Sequence, residues 1–445
     1  MKILNLLNSQ AMIDFFGKTY DISLDWIGNL IKLLINGVGI VGVGIILFSL
    51  ILKAIVLPFD IYQRINMRKQ NIKMKENQKK MEKWQKQYAN DKEAYNRKLM
   101  EMYKENGISV MSSCLPMSLS MVIFITAIGG FNAYSQYSNV ENYNIMVNAY
   151  NEKVAQVMTD WEENYSIPVT KNKQQYTIEI ADIMNSSNEE LKAVVNGATE
   201  GEGVNLEQAQ QNAVSLYVTE LAQQAVLEAY NTKVIENTSF LWIKNIWVTD
   251  AAWNHPVLDY TDFYTQIGKE KFVVDGNLKA LEKLDEDVYK KGAVETHENN
   301  PYDEYGYNKI TGKLGEQKSQ ANGYLILILL SIGTILLQQF ISMRAQKEQQ
   351  KYSTVDGQGA QQQKTMLVVM TGMFAIFSFM YSSAFSIYMI MSNVLSLISM
   401  LVINKLVDYI ADKREAKAIQ EQYNKRFPGR VALGAKDDKD EKTKK

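Results

Sequence analysis

Residues 38–57 read VGIVGVGIILFSLILKAIVL and are followed by Pro58. A helix of about 20 residues is about 30 Å long, which matches the hydrocarbon core of a bilayer. This run contains one charged residue, Lys53, and therefore predicts a membrane-spanning helix. Similar apolar runs occupy residues 115–134, 322–343 and 366–403. The last run is too long for one span and divides best near Ser382, so we predict five spans.

The average composition of the chain does not reveal these apolar runs. It does restrict which kinds of chemical site the chain can contain. The 445 residues are 46% hydrophobic and 22% charged, as in many soluble proteins, but the apolar residues are concentrated in the runs. One Cys and two His exclude a disulfide framework and leave little for a metal site. No phosphate-binding loop, zinc-protease motif or dinucleotide fingerprint is present in the sequence. The apolar runs exclude a simple soluble enzyme, and we expect no bound cofactor and no metal.

The sequence predicts an all-α polytopic membrane protein with five core transmembrane helices, a cytoplasmic helical hairpin and a large helical or irregular extracytoplasmic insertion. The predicted segments are an external tail with an amphipathic interfacial helix (1–36), the first span (37–60), a basic hairpin (61–107), the second span (108–135), an acidic insertion (136–321), the third span (322–343), a cytoplasmic loop (344–364), the fourth span (365–382), the fifth span (383–405) and a basic disordered tail (406–445).

The charges of the loops predict the orientation of the spans. Residues 61–107 carry 13 Lys and Arg against 6 Asp and Glu, and residues 344–364 carry 4 against 2. Residues 405–445 carry 12 against 8, whereas residues 136–321 carry 15 against 29. Because positive loops stay in the cytoplasm, the N-terminus is predicted outside and the C-terminus inside.

Residues 61–107 are predicted to form two antiparallel helices, 61–88 and 91–106, with Lys- and Gln-rich outer faces. The predicted seam consists of Ile65, Ile72, Met81, Trp84, Tyr88, Tyr95, Leu99, Met102 and Tyr103. The hairpin either links two spans and nothing more, or is a basic surface for anionic lipid, nascent chain or ribosomal RNA. Basic charge alone does not choose between these interpretations.

Lys53 is the only charged residue in the four apolar runs, 38–57, 115–134, 322–343 and 366–403. A charge at membrane depth costs a few kcal/mol or more and is by default a functional hypothesis. Two structural alternatives stay open: the side chain extends to the headgroups, or it pairs with Asp60 on the same helical face. A wet cavity is the functional alternative, and polar residues on other spans support it. These residues are Ser118, Ser120, Gln338, Gln339, Thr371, Ser378, Ser392 and Asn393.

Several motifs in the right order resemble the YidC/Oxa family of membrane protein insertases. They are DWIGNLIKLL (25–34), GIILFSLILKAIVLPFDIYQ (44–63), KEAYNRKLMEMYKENGISVMSSCLPM (92–117), SFLWIK (239–244), LLQQF (336–340) and FSIYMIMSN (385–393). The resemblance covers roughly residues 22–137 and 240–430, and residues 138–239 look like an insertion without a family counterpart. Lys53 stands where the family usually has an arginine.

The resemblance implies a non-enzymatic insertase with a hydrophilic groove open to cytoplasm and lipid, in which Lys53 attracts acidic client tails. The implied groove and client-binding residues are Lys53, Ser118, Ser120, Gln338, Gln339, Tyr388, Ser392 and Asn393. The implied partners are client membrane proteins, the ribosome at the hairpin and basic tail, the Sec translocon and anionic lipids, but not DNA. The implied location is the bacterial plasma membrane. A channel or transporter with an anion path, and a folding scaffold without a wet cavity, are the alternatives.

Overall fold

A computed structural model describes residues 14–106, 111–159, 166–171, 174–179, 206–284, 288–289, 298–351 and 359–426. The described part of the chain is mostly helical. Its helices are α1 (Trp26–Val38), α2 (Val41–Glu76), α3 (Gln78–Gln87), α4 (Lys92–Glu105), α5 (Met111–Thr159), α6 (Leu206–Ala229), α7 (Ile235–Thr238), α8 (Tyr260–Ile267), α9 (Leu281–Leu284), α10 (Glu304–Ile310), α11 (Gly315–Ser319), α12 (Ile326–Lys351), α13 (Gly359–Met380) and α14 (Ser383–Arg426). A π-helical turn, Tyr230–Val234, joins α6 to α7.

The strands are short and form three two-stranded ladders. They are β1 (Phe15–Phe16), β2 (Ser166–Lys171), β3 (Gln174–Glu179), β4 (Lys271–Val274), β5 (Asn277–Ala280) and β6 (Glu298–Asn299). β1 pairs with β6 in parallel, with Phe15 opposite Glu298, and the other two ladders are antiparallel. The turn between β4 and β5 is Asp275-Gly276, and both residues have positive φ, as a two-residue hairpin turn requires.

The chain divides into two compact units. Unit 1 contains Met1–Ile45, Thr126–Leu329 and Ile376–Ile387, and unit 2 contains Ile46–Ile125, Leu330–Ala375 and Tyr388–Lys445.

Within the described residues, three helical stretches are long and apolar enough to cross a membrane: Val41–Asn66, Ile326–Arg344 and Ser383–Val407. They coincide with the first, third and fifth predicted spans. The predicted fourth span contains a shorter apolar stretch, Thr371–Met380. The predicted second span lies on α5, which continues to Thr159. Five spans therefore remain a prediction, whereas three are supported by the length and composition of the helices.

Helix α1 is the amphipathic helix predicted before the first span. The Asp25 carboxylate accepts a hydrogen bond from the Gly28 N–H at 2.6 Å, so the helix begins at Trp26. Gly39 has φ 76° and ends it, since its N–H donates to the Ile35 carbonyl. Ile27 and Ile31 are buried while Trp26 is exposed, which is the expected two-faced pattern.

The basic hairpin has the predicted seam but different helix boundaries. Helix α2 runs without a break from the first span to Glu76, and α3 and α4 form the hairpin proper. Its core consists of Met81, Tyr95, Leu99 and Met102, with Trp84, Tyr88 and Tyr103 packed against it. Two predicted seam residues lie outside this core: Ile72 is 46% exposed and Ile65 is half-buried on α2. Their part of the chain belongs to the long helix, so they have no antiparallel partner in the hairpin core.

Helix α5 extends well beyond the end predicted for the second span. A buried stripe on it follows alternating steps of three and four residues: Val140, Tyr143, Val147, Tyr150, Val154 and Val157. The Tyr143 ring lies 4.9 Å from Phe263 and 5.1 Å from Tyr307, measured between ring centroids. The stripe is therefore part of the core of unit 1. The first part of the predicted acidic insertion, 136–321, therefore continues the helix of the predicted second span.

Residues Glu304–Ile310 form α10, which the Asp303 carboxylate caps by accepting from the Gly306 N–H at 2.7 Å. The tail 406–445 is predicted to be disordered, but α14 continues to Arg426. Residues 411–426 are rich in Ala, Glu, Lys, Gln and Arg, which are strong helix formers. Residues 427–445 lie outside the described part of the chain.

Candidate functional site

Lys53 makes two polar contacts inside unit 2. Its ammonium Nζ lies 2.6 Å from Oδ2 of Asp60 and donates to Oγ of Ser396 at 3.1 Å. Asp60 is on the same helix and Ser396 is on α14, so the ammonium joins two of the apolar helices. The side chains of Lys53 and Asp60 are 14% and 24% exposed. Of the interpretations left open by the sequence, the pairing with Asp60 is therefore present in the structure.

Pro58 lies inside α2, between the two members of this pair. Proline has no N–H and cannot donate to the carbonyl four residues earlier, so the helical hydrogen-bond ladder is interrupted here. Ser49 precedes Lys53 by one turn and is buried. Helix α2 thus has a short polar stripe, Ser49, Lys53 and Asp60, within an otherwise apolar stretch.

A second polar stripe lies on α14, at positions separated by four residues: Tyr388, Ser392 and Ser396. The buried Tyr388 shares a side-chain hydrogen bond with Ser392. Its ring lies 6.3 Å from that of Phe48 on α2. The two stripes are therefore adjacent, with the aromatic contact on one side and the Lys53–Ser396 hydrogen bond on the other.

A third stripe lies on α12 and contains Ser331, Thr334 and Gln338. The amide of Asn393 donates to Oγ1 of Thr334 at 3.3 Å, which connects α14 to this helix. Ser331 is fully buried, and Gln338 is half-buried one turn beyond Thr334. We call the residues of the three stripes, together with Asn393, the Lys53 cluster.

The structure brings together some of the predicted site residues and not others. Lys53, Tyr388, Ser392, Asn393 and Gln338 belong to the Lys53 cluster. Gln339 is half-buried next to Gln338 on α12. Ser118 and Ser120 lie on α5, at positions whose side chains are outside the described part of the structure.

Sequence reasoning missed Ser49, Ser331, Thr334 and Ser396. Each lies three or four residues from a residue that had been selected, or from another member of its own stripe. Helical spacing could therefore have found them, since positions i, i+3 and i+4 share a face. The contact between Lys53 and Ser396 joins residues 343 positions apart in the chain and has no such signal.

Unit 1 contains a different polar arrangement, at the start of α12. The Asp250 carboxylate is fully buried and accepts from the backbone N–H groups of Tyr324 and Leu327, each at 2.6 Å. The Asn322 side chain, also fully buried, donates to the carbonyls of Asn245, Val248 and Thr249. These bonds fix residues 245–250 to the N-terminal end of α12.

The same segment also binds the turn before α14. The N–H of Ser383 donates to the Val248 carbonyl at 3.1 Å, and the N–H of Ala384 donates to the Ile246 carbonyl at 2.9 Å. The Thr249 hydroxyl donates to the Tyr381 carbonyl at 2.9 Å. Residues 245–250 therefore connect the starts of two apolar helices, and we call them the connecting segment.

A third polar group in unit 1 joins α1 to α5. The Lys32 ammonium donates to the Tyr137 hydroxyl, and Nζ lies 4.3 Å from the centroid of that ring. Tyr137 in turn shares a hydrogen bond with Glu141. Burial is the main cause that raises the pKa of Glu141, and the nearby Lys32 opposes it.

The chemistry of the Lys53 cluster is that of binding. An ammonium, hydroxyls and carboxamides can bind anionic and polar groups, and the described residues contain no group of three side chains suited to hold a metal ion. Long apolar helices with a polar cluster between them define a membrane-embedded helical protein.

One family model matches the N-terminal part of the chain. Residues 33–178 match the family model of the 60Kd inner membrane protein, which is the YidC/Oxa family. The resemblance inferred from the motifs is confirmed over residues 33–137, where the two ranges overlap. The match includes residues 138–178, so the view that 138–239 has no family counterpart is wrong for its first part. For residues 240–430 the resemblance stays a prediction.

Several relatives are named Membrane protein insertase YidC, including the following three. The chain is 33% identical to the protein of Caldanaerobacter subterraneus over 113 residues, 25% of this chain and 53% of that protein. It is 33% identical to that of Fusobacterium nucleatum over 92 residues (21% and 43%) and 34% identical to that of Clostridium perfringens over 94 residues (21% and 38%). The chain thus spans about half or less of the length of these curated relatives. No solved structure matches the chain.

Proposed function

We propose that the chain is a membrane protein insertase, which transfers polar tails of client proteins across the bilayer and releases their apolar helices into lipid. The Lys53 cluster is the observation that carries this proposal. It consists of polar side chains on three helices, each of which is long and apolar enough to cross a membrane. The similarity to YidC insertases supports it.

The physical difficulty of insertion is the loss of hydration by the translocated tail. Amide and hydroxyl groups that leave water without new hydrogen bonds cost on the order of 2–7 kcal/mol each in an apolar medium. A polar groove shortens the apolar path and offers donors and acceptors on the way. Lys53 attracts acidic residues of the tail, and burial of the client helix in lipid drives the step.

The proposal includes the predicted layout of the chain in the bacterial plasma membrane. Two further spans cover 108–135 and 365–382, the N-terminus is outside, and residues 61–107 and the C-terminus are in the cytoplasm. The hairpin and the basic tail are the surfaces for the ribosome and for anionic lipid, and the Sec translocon is a further partner. This arrangement follows from the loop charges and from the family resemblance.

Insertion by the purified chain tests the proposal. The full chain is reconstituted into liposomes, and a labelled single-span client with an acidic N-terminal tail is added. Protection of the tail from external protease measures insertion. We expect insertion by the wild-type chain and by Lys53→Arg, and a loss of at least fivefold in Lys53→Glu, because a carboxylate at position 53 repels the acidic tail.

A matched control uses a second lysine that pairs with a carboxylate. Lys313 lies 3.1 Å from Glu220 in unit 1 and is not part of the Lys53 cluster. Lys313→Glu therefore makes the same change of charge outside the Lys53 cluster. We expect this variant to insert the client as well as the wild-type chain does. Full insertion by Lys53→Glu, or equal losses in both variants, would contradict a role of the Lys53 cluster.

Access of water to position 53 separates a wet groove from a dry bundle. A single cysteine, Lys53→Cys in a Cys114→Ser background, is exposed to a membrane-impermeant maleimide. Fast labelling from the cytoplasmic side is expected if a hydrated groove reaches this depth. A protected thiol argues for a scaffold without a cavity, and anion flux without client insertion argues for a channel.

A further inference from the structure

Asp60 occupies the position that a carboxylate of a client would take on Lys53. Its Oδ2 lies 2.6 Å from the Lys53 ammonium, at the distance of a charge-assisted hydrogen bond. An ammonium has three donors, and Asp60 and Ser396 each accept one of them. The cation is therefore already paired before any acidic tail arrives.

The pair is built so that it can open without movement of the helices. The two residues are seven positions apart on one helix, a separation of about 10.5 Å along the axis. The two side chains and the hydrogen bond between them together span this separation, so rotation of the lysine side chain is enough to break the contact. Both partners are on α2, so no second helix supplies a member of the ion pair.

The two side chains differ in their exposure. Asp60 is 24% exposed and Lys53 is 14% exposed, so the carboxylate is the more accessible partner. Asp60 also lies closer to the basic hairpin along the chain, on the side from which a client enters under the proposed orientation. An entering acidic tail meets Asp60 first and is repelled by it, and it competes with Asp60 for the charge of Lys53.

We propose that Asp60 is an internal competitor that determines which client tails bind Lys53. This inference rests on the proposed insertase function and names a specificity-determining residue of the same site. The affinity of Lys53 for an acidic tail depends on the difference between two free energies, that of pairing with the tail and that of pairing with Asp60. Tails that offer several carboxylates or a well-placed one replace Asp60, whereas neutral tails leave the pair closed.

Photocrosslinking of matched clients tests this competition. The full chain is reconstituted into liposomes and given two versions of one single-span client, an acidic tail and the same tail with Gln in place of its carboxylates, each carrying one photoreactive residue. Crosslink yield to the chain and protease protection of the tail are measured. The variants are Asp60→Asn, which keeps the shape and removes the charge, Asp60→Glu, which keeps the charge, and Lys53→Gln.

We expect Asp60→Asn to raise the crosslink yield of the acidic tail at least threefold and to leave the Gln tail unchanged. Asp60→Glu, which keeps the negative charge, should give a lower yield of the acidic tail than Asp60→Asn, and Lys53→Gln should abolish the preference for the acidic tail. Asp60→Ser serves as a second uncharged variant if Asp60→Asn fails to give a monodisperse protein. An unchanged or lower yield in both uncharged variants overturns the competition.

The outcome also separates this inference from the function on which it rests. If wild type inserts clients and Asp60→Asn behaves like wild type, the inference fails and the insertase function stands. If wild type inserts neither client, the proposed function fails and the inference fails with it.

Discussion

Asp250 in unit 1 and Asp60 in unit 2 are two poorly exposed carboxylates that the protein holds in different ways. Asp250 accepts from two backbone N–H groups at 2.6 Å each, and Asp60 accepts from one lysine ammonium at 2.6 Å. Backbone donors at the start of a helix are fixed by the helix itself, whereas an ammonium on a four-carbon chain can rotate away. The comparison indicates that Asp250 is structural and that the Asp60 pair is exchangeable.

The surroundings of the two carboxylates support this distinction. Asp250 lies at the N-terminus of α12, where the first N–H groups have no helical partner and the helix dipole favours negative charge. Leu325, between its two donors, has φ 65°, a conformation that is unfavourable for leucine. The connecting segment thus holds a strained turn in place, while Asp60 lies on a continuous helix that needs no such support.

The largest effect is expected from Asp250→Ala. The change leaves two buried N–H groups without their acceptor, and charge-assisted hydrogen bonds contribute about 1.5–3 kcal/mol each, so we expect a loss of about 3 kcal/mol or more. The unfolding temperature in detergent measures it. Asp250→Asn keeps one acceptor oxygen and should lose about half as much. An unfolding temperature unchanged by Asp250→Ala would show that the Asp250 carboxylate does not stabilise the fold.

A smaller effect on stability is expected when both members of the Lys53–Asp60 pair are made apolar. Replacement of a buried ion pair by apolar residues of similar volume is often neutral or stabilising. We therefore expect Lys53→Met with Asp60→Leu to change the stability by less than about 1 kcal/mol, although it removes the preference for acidic tails. A loss as large as that of Asp250→Ala would show that the pair is structural.

The smallest effect is expected from Glu141→Gln in unit 1. Because burial raises the pKa of Glu141 above its unfolded value, the folded chain binds this proton more tightly, and stability falls as pH rises through the two pKa values. Glutamine does not titrate, so Glu141→Gln removes this loss of stability and should raise the unfolding temperature at pH 7 by roughly 1–3 °C. Glu152, exposed on the same helix, provides the control Glu152→Gln, which should change little. An equal response in both variants would contradict the role of burial.

Hydrophobic periodicity was enough to predict the helices that form through contacts between residues close together in the sequence. The first, third and fifth spans, the amphipathic α1 and the core of the hairpin around Met81 and Tyr95 were predicted from apolar length and spacing. Their formation depends on local hydrogen bonds and on side chains one or two turns apart. The stripe Val140 to Val157 on α5 has the same helical periodicity of apolar residues. It lies in an acidic segment and was not predicted to be part of a core.

The sequence by itself determined which segments are long and apolar enough to cross a membrane and that Lys53 lies within the first of them, because hydrophobicity and charge are properties of each residue. Only the tertiary structure decided what that lysine binds. Ser396 lies 343 residues from Lys53, and Asp250 lies 77 residues from Leu327. Such contacts depend on the directions of side chains after distant segments have packed, and no local pattern in the sequence encodes those directions.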